Sequence, residues 1–138
     1  MPVRERRRAF ALSWLAYASY YLGRKGFSVT KSSMARELSL STPVLAGIDT
    51  AFLLAYALGQ LPSGLVADRS GARLLVGMGL IGSAVACALF GSVSTAGLLA
   101  LCFAANGLAQ STGWPGTTKL MAQWTTQTIP LQPGWNAV

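Results

Sequence analysis

Four long apolar runs, separated by short polar breaks, set the pattern of this chain. The first spans about residues 10–30 and the second, "VLAGIDTAFLLAYALGQLPSGLVA", residues 44–67. The third, "LLVGMGLIGSAVACALFGSV", covers 74–93 without a single charge, and the fourth runs from about 97 to 121. Each approaches the roughly 20 helical residues needed to cross about 30 Å of hydrocarbon. The breaks are a polar stretch of about 31–43, then "DRSGAR", then "SVSTAG". Connections this short make neighbouring helices antiparallel. The pattern predicts an all-α integral membrane fold with about four transmembrane helices.

Small residues punctuate the third run. Gly79 and Ser83, then Ala84 and Ala88, stand at the small-xxx-small spacing that lets helix backbones approach closely in lipid. Residues 77–82 also fit G-x-G-x-x-G. A dinucleotide fingerprint needs a preceding strand and an acid about 20 residues later. This one lies inside an uncharged span, and no acid follows Asp68.

Composition agrees with the pattern. Only 11% of residues are charged and 52% are hydrophobic, with a mean hydropathy of +0.46. Soluble domains carry about 25% charged residues. There is no His, and the acids are Glu5, Glu37, Asp49 and Asp68. A catalytic set, a metal site or a cofactor is therefore not expected. Cys87 and Cys102 both lie in apolar runs and read as small buried hydrophobes.

The formal net charge of +7 raises the question of nucleic acid, but its distribution answers it. Arg4, Arg6, Arg7 and Arg8 precede the first run, Arg69 and Arg73 flank a loop, and Lys119 closes the fourth. Cations at alternate ends of apolar spans are a topology signal, not a groove for phosphodiesters. With the N-terminus cytoplasmic, these seven lie inside and only Lys31 and Arg36 outside. A signal peptide would imitate the first segment. The run continues through Arg24 and Lys25 without a small-residue cleavage pattern, so an uncleaved helix is the reading.

Arg24 and Lys25 then need a reason to stand inside a span, in "YYLGRKGFSV". From Arg8 to Arg24 a helix rises roughly 24 Å, which puts Arg24 past mid-membrane. On position alone it serves equally well as an interfacial cation snorkelling to water. The helix face argues for more. Tyr17, Tyr20, Arg24, Ser28 and Lys31 recur at steps of three or four, a polar and aromatic stripe suited to a water-filled cavity. Intramembrane charges usually mark substrate paths or ion pairs, and Arg suits multidentate phosphate recognition. Asp49 is the other ionisable group inside a span. It is read as an ion-pair partner of Arg24, Lys25 or Lys31, or as a proton site.

Three stretches resemble one family. Gly64, Asp68, Arg69, Gly71 and Arg73 match the G-x-x-x-D-R-x-G-x-R loop between helices two and three of the major facilitator superfamily. There the loop helps switch the transporter's conformation through charge pairs. "NGLAQSTGWP" looks like the fourth helix of the organophosphate:phosphate antiporter branch of that superfamily, and "YYLGRKGFS" like its first. The resemblance implies the first four helices of a facilitator transporter, with Arg24 in a central phosphate site and Lys25 beside it. Tyr17, Tyr20, Asn106 and Gln110 are the further candidate substrate-binding residues. Asn106 and Gln110 share a helix face, and as plain helix-to-helix glue they would look the same.

Two positions depart from the branch. Asp49 replaces a small polar residue, and Gln60 stands where several members carry a lysine. Both lower the positive charge of the cavity. A carboxylate or another organic anion therefore stays open beside a sugar phosphate, as does proton coupling. Residues 1–124 read as part of the N-terminal half of such a transporter, and 125–138, "TQTIPLQPGWNAV" from its second residue, as an atypical tail of truncated or frame-shifted character. The expected partners are a small anionic solute (organophosphate, phosphate or carboxylate), the lipid bilayer and a missing transporter half or oligomer partner. The expected place is a cell's inner (plasma) membrane. A stand-alone four-helix sensor or assembly subunit is the alternative.

Overall fold

The computed structural model describes residues 3–126, and every element in it is a helix. In order these are α1 (Val3–Glu37), α2 (Thr42–Ser70), α3 (Ala72–Phe90), α4 (Ala96–Gln110) and α5 (Gly113–Thr126). Residues 127–138, most of the expected tail, lie outside the described residues.

The turns differ from their expected lengths for local reasons. Helix α1 runs through Lys31 and Arg36, so the polar break of 31–43 shrinks to 38–41. Ser39 ends the helix in the left-handed region (φ 50°), and the Leu40 N–H donates back to the Ala35 carbonyl at 3.1 Å. That pair of features satisfies carbonyls left open at a helix end. Pro43 then opens α2, where a missing N–H costs nothing.

Between α2 and α3 the connection is a single residue, Gly71, at φ 86°. The expected loop is therefore mostly helix: Asp68 and Arg69 sit in the last turn of α2 and Arg73 in the first turn of α3. Only glycine takes that backbone conformation without strain.

The fourth expected span is not one helix. It breaks at Ser111–Thr112 into α4 and α5. Pro115 explains the position, since its ring offers no N–H to the Ser111 carbonyl four residues back and crowds it. The Ser111 and Thr112 hydroxyls donate to the Leu108 and Ala109 carbonyls, at 2.6 and 2.8 Å, at the break.

Among the described residues only α2 and α3 are long and apolar enough to cross a bilayer by length and composition, with mean hydropathy 1.5 and 1.9 over their best windows. Their outward faces carry large apolar side chains in the open, such as Leu58, Leu61 and Leu65 on α2 and Met78, Ile81 and Val85 on α3.

The interior has three tiers. At one end Phe27, Leu45, Ile48, Phe52, Leu99 and Phe103 form an apolar cluster. At the other end Tyr20, Ala72, Val76 and Leu120 form a smaller one. Between them lies a polar tier of Ser83, Asn106 and Gln110. Helices α2 and α4 are the most extensively packed pair, whereas α1 meets α2 only sparsely.

Glycines make the close crossings. A methyl at Gly107 would strike the Phe52 backbone, and one at Gly79 would strike Thr112 and Tyr20. Gly79 and Ser83 thus face the interior, while Ala84 and Ala88 are exposed. Gly64 of the loop motif has nothing near the place a methyl would occupy.

Candidate functional site

Tyr17, Tyr20 and Arg24 of the α1 stripe line a cleft together with Tyr21 and, from α2, Tyr56, while Ser28 and Lys31 lie outside its lining. Gln110, Gly113 and Trp114, around the α4–α5 break, close the other side. Arg24 is half-buried here, and its guanidinium carbon lies 5.1 Å from the ring centroids of both Phe52 and Tyr56. Such a contact is worth about 0.5–2 kcal/mol, depending on how far the pair is desolvated. Tyr17 sits edge-on to Tyr21, with centroids 5.5 Å apart, and 6.0 Å from Trp114. The cation is therefore held by ring faces.

The acids are committed elsewhere. Asp49 pairs with Lys31, and Asp68 with Lys119, whose ammonium also donates to the Ala67 carbonyl at 2.9 Å. Glu5 and Glu37 stand at the two ends of α1, both exposed. Among the described residues Arg24 takes part in no ion pair. A cation held by π faces alone keeps its in-plane N–H donors free for an anion.

The other candidates divide sharply. Lys25 is exposed and lies off the cleft, because one helical step turns it about 100° from Arg24. Tyr20 is only 5% exposed; its hydroxyl donates to the Val76 carbonyl at 3.0 Å and meets Thr112 at 2.9 Å. It clamps α1 to α3 and to the α4–α5 break, and only its ring edge reaches the cleft.

Asn106 is 1% exposed, below the cleft lining. Its amide donates to the Gly23 carbonyl at 3.3 Å, and its oxygen accepts from Ser83 at 2.6 Å and Gln110 at 3.2 Å. Gln110 also donates to Ser83 at 3.3 Å. These amides join α1, α3 and α4, which is the glue arrangement, and Gln110 alone reaches the cleft as well. Each interhelical bond of this kind is worth about 0.6 kcal/mol in a membrane protein.

Of the switch positions, Gly71 forms the turn and Asp68 holds Lys119, while Arg69 and Arg73 are exposed. Gln60 is half-buried and outside the cleft lining.

Phe52, Tyr56, Tyr21 and Trp114 complete the site and were not singled out from the sequence. A signal existed: Asp49, Phe52, Tyr56 and Gln60 recur at steps of three and four along α2. It was masked by the apolar character of its neighbours.

Residues 13–129 match the model of the Major Facilitator Superfamily. The chain belongs to the Major Facilitator Superfamily. Its membrane nature follows from that membership. A membrane sensor protein, UhpC, of Salmonella typhimurium is 32% identical over 96% of this chain and 30% of its own length. A probable hexose phosphate transport protein of Chlamydia trachomatis is 29% identical over 86% of this chain and 26% of its own. The human sugar phosphate exchanger 3 is 30% identical over 83% of this chain and 30% of its own. These facilitator relatives are of the organophosphate:phosphate antiporter branch, and the chain spans about 30% of their length. No solved structure matches it.

Proposed function

We propose that this chain contributes the Arg24 anion site of a membrane transporter for an organic anion, with a sugar phosphate as the favoured solute. The observation that carries the reading is Arg24 itself, a half-buried guanidinium on aromatic faces that pairs with no carboxylate among the described residues. A phosphate dianion supplies the missing partner through charge-assisted, bidentate hydrogen bonds. The names of the exchanger and hexose phosphate relatives favour the same class of solute.

Asp49 is engaged with Lys31, which favours an ion-pair role over a proton-carrying one and so favours exchange over proton coupling. Residues 1–124 serve as part of one half of the transporter, and alternating access requires a second half facing the cleft.

The site by itself also suits a sensor, and one relative carries that name. Proteoliposomes loaded with phosphate and given labelled glucose 6-phosphate separate the readings. Accumulation that depends on internal phosphate is the expected result for the exchanger. Saturable binding without accumulation supports the sensor, and neither would sink the anion site.

We place the protein in a cell's plasma (inner) membrane as a multi-pass chain with its N-terminus inside. The cation count supports this orientation, with Arg4, Arg7 and Arg8 at the start of α1, Arg69 and Arg73 at the α2–α3 turn, and Lys119 bound to Asp68 beside it. A membrane-impermeant thiol reagent applied to intact cells should leave a cysteine placed at Arg7 unlabelled and label one placed at Ser41. The reverse pattern would overturn the orientation.

A further inference from the structure

The stripe on α1 carries a second cation. Lys31 lies seven residues beyond Arg24, about two helical turns or roughly 10 Å along the axis. It pairs with Asp49 of α2, and its ammonium also lies 5.5 Å from the centroid of the Phe27 ring. Asp49 in turn lies on the α2 face that carries Phe52 and Tyr56, the rings under Arg24. Two matched faces therefore oppose each other: Arg24 over Phe52 and Tyr56, then Lys31 against Asp49.

Three features mark this pair as more than a strut. Helices α1 and α2 meet only sparsely, and among the described residues Lys31–Asp49 is their one direct hydrogen bond. The two side chains are 35% and 40% exposed, so both are within reach of a solute. Between the two cations the floor is apolar, with the Phe103 ring in contact with both the Phe27 and the Phe52 rings. Among the described residues, an anion moving from Lys31 to Arg24 meets one opposing charge, that of Asp49.

We infer that Lys31 is a second anion station, about two helical turns beyond the Arg24 cleft, held closed by Asp49 until an incoming phosphate-type anion takes its place. Partly exposed ion pairs are weak, so a dianion competes readily with a single carboxylate for one ammonium. Exchange of partners frees α2 from α1 at that end, and the anion then passes down the stripe to Arg24. The inference rests on Arg24 being an anion site.

Binding of labelled inorganic phosphate to the purified chain in lipid nanodiscs tests it. Asp49→Asn leaves Lys31 without its internal counter-ion and is expected to bind phosphate about fivefold more tightly. Adding Lys31→Gln to that variant should bring affinity back to the wild-type level or below. If Asp49→Asn binds no better while Arg24→Ala loses binding, the pair is a tether and the Arg24 site stands. If the gain survives the added Lys31→Gln, the effect belongs to the general field and the station is refuted. Should Asp49→Asn fail to fold, Lys31→Gln alone carries the test, with affinity about fivefold weaker expected and no change overturning it. A wild-type chain that binds no phosphate overturns this inference together with the Arg24 site.

Discussion

Arg24→Ala is expected to weaken phosphate or glucose 6-phosphate binding at least about a hundredfold, to the point of abolishing uptake wherever uptake is measured. Hydrogen bonds to a charged group are worth about 1.5–3 kcal/mol each, and a bidentate contact loses two of them together. Among the described residues the cleft offers no substitute nearby, because Lys25 is exposed off its lining and Lys31 stands about two helical turns beyond it. Arg24→Lys should keep part of the affinity, since it restores the charge and its contact with Phe52 and Tyr56 but not the planar fork. Helical content should be preserved in both variants, because Arg24 gives no hydrogen bond that joins helices. Equilibrium binding to nanodisc-held protein, with circular dichroism alongside, makes the measurement. Full affinity in Arg24→Ala would remove the anion site from this residue.

Gly107→Ala is expected to be strongly destabilising, costing about 3 kcal/mol or more. Its new methyl would press on the Phe52 carbonyl and lie 3.2 Å from the Tyr56 nitrogen, which are backbone atoms of the facing helix. Overpacking typically costs about 1–3 kcal/mol where side chains can yield. Here α2 and α4 must separate along the most extensive interface in the fold, and the Phe52 and Tyr56 rings under Arg24 move with α2. Gly47→Ala is the contrast, because nothing lies within 4 Å of its added methyl. Removing a glycine from an unobstructed helix interior stabilises it by roughly 0.5–1 kcal/mol. Thermal unfolding in detergent should therefore fall sharply for Gly107→Ala and hold or rise for Gly47→Ala. Equal melting of the two variants would mean that the α2–α4 crossing is looser than the backbone contact implies.

Much of this was readable along the chain, and the exceptions have physical causes. Apolar runs broken by cations and glycines marked α1, α2, α3 and the start of α4, and the short turns between them dictate direction. The stripe through Tyr17 and Arg24 followed from helical period alone. Chain pattern was weaker wherever the outcome depended on a partner across the bundle. Asn106 and Gln110 looked equally like ligands and like glue, and the facing Ser83 and the Gly23 carbonyl made Asn106 glue. Asp49 had three cations to choose from, and the approach of α2 to α1 selected Lys31. The break at Ser111–Thr112 was written locally in Pro115, yet its effect on the site was not: it brings Trp114 to Tyr17 and Thr112 to Tyr20. Period and composition act within one helix and so marked the helical stretches and the cation stripe. Only the tertiary structure decided which polar groups are consumed by packing and that Arg24 rests on aromatic faces, because those facts depend on atoms far apart in sequence.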